Sequence, residues 1–244
     1  MITKENKLAN VLIRNYTLIP VVVRFRIPLG IGDKTIDEVC KETGINSELL
    51  LAVLNLLDNN DYVITEKMNP YNVLPMMDYL RTTYEDYLQA QALNIERHID
   101  RLIASAKPSN NDLQLLLSLF MEYKQELSAL IEKEEEETFP FILNVYELFY
   151  SPEYISCDSP INWTSVRKMG HKYDIVNEKL RDLNNLMIKY LKGNYDENIF
   201  YAVIFSLNRL KEDMAGTQRL EEKILQPIVM RMEKEIRTRN AKKS

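Results

Sequence analysis

The chain has 244 residues, of which 45% are hydrophobic and 27% charged, with a formal net charge of −5. That balance is globular rather than disordered, and it offers no global positive field to collect nucleic acid. No apolar run reaches the roughly 18 residues a membrane helix needs, and Met1 to Lys7 is too polar to open a signal peptide, so a cytoplasmic protein is expected. Two cysteines, Cys40 and Cys157, are too few for a disulfide framework or a thiolate zinc site and read as inert core thiols.

Six glycines, against long runs of Leu, Glu, Lys, Met and Gln, predict an almost wholly α-helical chain. The one candidate strand, Val21 to Ile27, is read as helix instead, since Thr17 can cap it and Pro20 suits its first turn. Gly30 and Gly32 then make a turn. Thr35 to Thr43 form a short helix ended by Gly44, and Ser47 to Leu57 form a third. Residues 1–60 are thus expected to be a small three-helix N-terminal domain. Residues 61–75, with Pro70 and Pro75, read as a linker.

From Met76 the pattern changes to four long amphipathic segments, roughly 76–106, 111–148, 160–192 and 196–238, with a basic tail over 239–244. Breakers at Lys107-Pro108, Ser151-Pro152, Ser159-Pro160 and Gly193-Asn194 separate them, which is the cadence of an up-and-down four-helix bundle over 76–238. Within the second segment Leu113, Leu116, Leu117, Phe120, Tyr123, Leu127, Leu130 and Ile131 form one apolar stripe. Pro140 should kink that helix, because it removes a backbone donor and crowds the preceding turn.

One motif falls on each of these helices: Tyr79-Leu-Arg-Thr-Thr-Tyr84; Leu130-Ile-Glu-Lys-Glu134 leading to Phe139-Pro140; Tyr173-Asp-Ile-Val-Asn-Glu-Lys179-Leu180-Arg-Asp182; and Thr217-Gln-Arg-Leu-Glu221 leading to Pro227. In that order they resemble the hemerythrin-like proteins typified by the di-iron repair-of-iron-centres family. Arg24 to Pro28 and Thr35 to Cys40 resemble the small helical domain that precedes the bundle there. The resemblance implies an all-α fold of that kind, in which two irons are held by a lone His on the first and third helices and by His-x-x-x-Glu on the second and fourth. Residues four apart share a helix face, so imidazole and carboxylate reach one metal pair.

Carried onto this chain, the four histidine positions hold Tyr84, Leu130, Tyr173 and Thr217, while the carboxylates Glu134 and Glu221 remain. His98 lies about 21 Å along the helix from Tyr84 at about 1.5 Å per residue, and His171 is rotated about 200° from Tyr173. Both are expected at the periphery. Two acids left in a core need donors or a proton, and the hydroxyls of Tyr84, Tyr173 and Thr217 can provide hydrogen bonds. A metal reading stays open beside that one, with Tyr84, Glu134, Tyr173 and Glu221 as oxygen ligands of non-haem iron.

Other signals are weaker. Thr35 to Thr65 has the outline of a helix-turn-helix, yet Ser47 to Leu57 carries no Lys or Arg for phosphates. Glu135, Glu136 and Glu137 splay around a helix and are expected in solvent, and Trp163 reads as a packing anchor. No nucleophile-base pair, phosphate loop or zinc motif appears, so no enzyme activity is expected. The expectation is a degenerate hemerythrin-like module without a di-iron centre, requiring no cofactor, that senses or docks a protein partner or a second copy, with neither membrane nor nucleic acid as partner. A metal-dependent redox or nitrosative-stress protein and a transcription regulator are the alternatives.

Overall fold

The computed structural model describes residues 1–65, 68–106, 111–151 and 172–241. Cys157, Trp163, His171 and the tail residues Lys242 and Lys243 lie outside the described residues. All regular structure among the described residues is helical, apart from an isolated bridge between Lys7 and Thr35. In chain order the helices are α1 (Leu8–Arg14), α2 (Ile19–Arg24), α3 (Ile36–Thr43), α4 (Ser47–Asp58), α5 (Val73–Asp86), α6 (Leu93–Ser105), α7 (Asn111–Lys133), α8 (Phe139–Tyr150), α9 (Asp174–Asn185), α10 (Glu197–Leu220) and α11 (Gln226–Ala241). The all-α class is as expected: a small helical N-terminal part followed by a multi-helix bundle region.

The chain divides into two compact units. The first gathers the described residues of Met1–Thr83, Leu143–Ser159 and Gly216–Ser244. Its helices start and stop on local chemistry. Thr35 and Glu38 form a reciprocal capping box at the start of α3, and Gly44 closes that helix in the left-handed conformation. Asn46 caps α4 by accepting from Glu48 and Leu49. Val21 to Arg24 is helical, with Pro20 in the first turn as expected, but the capping side chain is Asn15 rather than Thr17, and it serves a short 3-10 turn over Tyr16–Leu18. At the end of α2, Arg26 donates to the Val23 carbonyl and Ile27 to that of Val22, with Arg26 at φ 59°. This is a Schellman stop with arginine where glycine is usual. Helix α1 was not anticipated from the sequence pattern.

Asn55 pins the chain's first turn to α4: it accepts from the Ile2 N–H at 2.7 Å and donates to the Ile2 carbonyl at 2.8 Å. Arg14 reaches Asp58 at 2.7 Å. Helix α11 packs on the 3-10 turn Pro70–Asn72, where Arg231 donates to the Met68 carbonyl. Gly216 is required where α10 meets Leu57, since a Cβ there would lie 2.8 Å from Leu57 Cδ2.

The second unit comprises the described residues of Tyr84–Ile142 and Pro160–Ala215. Here α7 packs against α6 and α9. Residues of α10 are tied to the others by Gln91 to Asp213 at 2.8 Å, Tyr123 to Met214 at 3.2 Å and Asn208 to Asn184 at 3.2 Å. Leu113, Leu116, Phe120, Tyr123, Leu127 and Leu130 are buried, at steps alternating between three and four residues. Leu117 and Ile131 flank this seam half-buried. Burying each large apolar side chain contributes about 1.5–3 kcal/mol.

Among the described residues, π-helical turns interrupt the long helices over Tyr87–Ala92, Glu134–Thr138 and Glu221–Leu225, and another ends α9 over Leu186–Tyr190. Two begin on a glutamate and are followed by a proline in the first turn of the next helix, Pro140 in α8 and Pro227 in α11. Phe139 donates to the Glu134 carbonyl and Gln226 to that of Glu221, one residue farther back than in an α-helix. The expected disturbance at Pro140 is therefore met by a widened turn just before it.

Candidate functional site

Helix α5 delivers Tyr84 in its last turn, α7 delivers Leu130, the following π turn opens on Glu134, and Tyr173 is the residue that caps α9. All belong to the second unit, and Tyr84, Glu134 and Tyr173 are almost fully enclosed. The two tyrosine hydroxyls, which stand at the expected lone-histidine positions, lie 3.4 Å apart. Tyr84 also stacks on Phe139, with ring centroids 6.1 Å apart and planes 18° from parallel.

Glu134 has a partner that the sequence pattern did not reveal. Lys172 places Nζ 2.7 Å from its Oε2, with side chains only 9% and 3% exposed, and Thr138 donates to Oε1 at 3.1 Å. The same ammonium lies 5.2 Å from the Tyr173 ring centroid. A carboxyl group removed from water needs compensating partners, and Lys172 beside Oε2 and the Thr138 hydroxyl on Oε1 supply them. The ring face adds attraction for the ammonium. Lys172 went unnoticed because Tyr173 caps α9 and Lys172 stands in the preceding turn, so helical rotation does not predict its direction. The lysine directly beside Tyr173, one of the positions singled out by the resemblance, was the available signal.

Glu221 and Thr217 fall in the first unit. Glu221 opens its π turn and is 1% exposed, and Thr217, one turn earlier, is also buried. Leu130 fills apolar space at the edge of the seam. Glu135, Glu136 and Glu137 are in solvent as expected. His98, expected at the periphery, is half-buried, and its Nδ1 is enclosed without a hydrogen-bond partner. Cys40 is a core thiol whose pKa burial pushes up.

These residues do not fit a histidine-rich di-iron centre. An ammonium has donors only, and at 2.7 Å it occupies the carboxylate oxygen a metal would need while placing a like charge beside it. Among the described residues no group of three or more His, Cys, Asp or Glu side chains converges on a common point. No helix among the described residues is long and apolar enough to cross a membrane.

No family model matches the chain. It is similar to the iron-sulfur cluster repair protein ScdA of two Staphylococcus epidermidis strains, RP62A and FDA PCI 1200, at 27% identity over 146 residues. The match covers 59% of this chain and 65% of each relative, less than two thirds of their length.

Proposed function

We propose that this chain is a hemerythrin-like bundle that has exchanged metal chemistry for a fixed internal ion pair and works as a protein-interaction or sensory module. The observation that carries the reading is Lys172 on Glu134 at 2.7 Å inside the bundle. A positive charge is supplied there by the chain itself, so the acid is stabilised without iron. The distant similarity to a protein named for iron-sulfur cluster repair is compatible with a docking or sensing role beside that process.

The interaction half of the proposal is supported by an apolar groove on the first unit bordered by Leu12, Ile13, Tyr16, Ile19 and Leu29. Ile13 and Tyr16 are 81% and 75% exposed. Sequence-specific DNA binding by α3 and α4 is disfavoured, because α4 has no Lys or Arg and buries Leu49, Leu50, Ala52, Val53, Leu54, Asn55 and Leu56.

Elemental analysis of the chain purified from iron-replete cells tests the proposal. The expected result is far less than one iron per chain and no charge-transfer absorption. Stoichiometric iron that disappears in a Glu134→Gln variant would instead support the other reading, in which Tyr84, Glu134 and Tyr173 supply oxygen ligands.

A further inference from the structure

A second tyrosine cluster lies in the first unit, outside the site described above. Tyr71 stands in the 3-10 turn before α5, and Tyr150 is the last residue of α8. Their rings stack with centroids 4.8 Å apart and planes 22° from parallel. Tyr146 contacts Tyr150 from one helical turn earlier, also at 4.8 Å, but with planes inclined at 53°. Tyr71 is 60% exposed, so a small reagent in solvent reaches the cluster directly.

Stacking constrains chemistry. In each ring the ortho carbons are next to the carbon that bears the hydroxyl. Two phenols stacked with centroids 4.8 Å apart and planes 22° from parallel keep their ring carbons in contact, so that modest side-chain rotation can bring ortho positions together. Packing alone does not call for two phenol groups here, since phenylalanines would stack equally well.

We propose that Tyr71 and Tyr150 form an oxidation site at which two equivalents of a one-electron oxidant couple the two rings into an intramolecular dityrosine. Each phenol loses one electron and one proton, giving two neutral phenoxyl radicals. A carbon–carbon bond forms between ortho positions, and the two ring hydrogens move to the oxygens to restore both phenols. The chain is lighter by two hydrogens and the oxidant is reduced by two electrons. The bond joins the turn before α5 to the end of α8, two segments far apart in sequence, and so restricts the unfolded chain.

The test is oxidation of the dilute full-length chain by photogenerated tris(bipyridyl)ruthenium(III), read by dityrosine fluorescence, intact mass and peptide mapping. The expected product is a monomeric chain lighter by two hydrogens whose cross-linked peptides contain Tyr71 and Tyr150, with a raised thermal midpoint. Tyr71→Phe and Tyr150→Phe should each abolish it, and Tyr146→Phe should retain it, with circular dichroism verifying that all three variants fold. Absence of dityrosine, coupling only between chains, or a signal that survives Tyr71→Phe or is lost in Tyr146→Phe would overturn the assignment.

Discussion

At the scale of single residues, the consequential contact is the one between Lys172 and Glu134. Both side chains are buried, so replacing one partner leaves a charge in a poorly solvating place. Lys172→Met should lower the unfolding free energy by about 3–5 kcal/mol, and adding Glu134→Gln should recover much of that loss, measured by urea denaturation as a double-mutant cycle. A single-variant loss under about 1 kcal/mol would mean the pair is not what holds the acid ionised. The hydroxyl contact between Tyr84 and Tyr173 is weaker, and Tyr84→Phe should reduce stability by about 1 kcal/mol in the same assay. Tyr84, Glu134 and Tyr173 were legible as candidates because each belongs to a motif assigned to one helical segment. Lys172 was not, because a residue in the turn before a helix has no periodicity to betray its direction.

Single elements obey local rules that are open to direct test. The capping box at α3 depends on Thr35, and Thr35→Ala should reduce stability by about 1 kcal/mol in urea denaturation. The Thr35 backbone N–H and hydroxyl hold the Glu38 carboxyl below its usual range, and Lys41 does the same for Asp37. Carboxyls depressed in the folded state add stability that is present above their unfolded pKa of about 4 and is lost as pH falls through the lower folded values. Thr35→Ala should accordingly flatten the acid side of the stability profile, measured between about pH 2 and 5. A profile as steep as that of the parent chain would count against the cap as the cause. At the end of α2, Arg26 occupies a left-handed position at φ 59°. Arg26→Gly should raise stability by about 0.5 kcal/mol, the relief of strain exceeding the added freedom of the unfolded chain.

Element boundaries at Thr35, Gly44, Ser47 and Pro20 were legible because capping and turn chemistry act within a few residues. The π turns were not. Pro140 announced a disturbance in its helix, but whether the backbone kinks or widens depends on packing around Glu134 and Phe139, which the local sequence does not encode. Helix α1 was missed for a related reason: at seven residues it is too short to show a clear period, and its place is secured by contacts such as Leu8 N–H to the Lys34 carbonyl at 3.1 Å.

For the molecule as a whole, apolar spacing was enough to identify an all-α chain with a bundle region, because a stripe such as Leu113 to Leu130 needs a partner helix whatever else the protein does. What surrounds the positions singled out by the resemblance needed three dimensions. Four of the six hold residues other than histidine and two hold glutamate, and sequence alone left hydrogen bonding and metal binding both open for the two acids. The contact with Lys172 favours a bundle whose internal charge is balanced by its own side chains. Such a bundle should be indifferent to metal. A ligand that binds only the folded state raises its stability by about 2.7 kcal/mol at a hundredfold excess over its dissociation constant. The decisive measurement is therefore the urea midpoint of the wild-type chain in anaerobic ferrous iron and in chelator: the account predicts the same midpoint in both, and a midpoint raised by iron and lowered by chelator would contradict it.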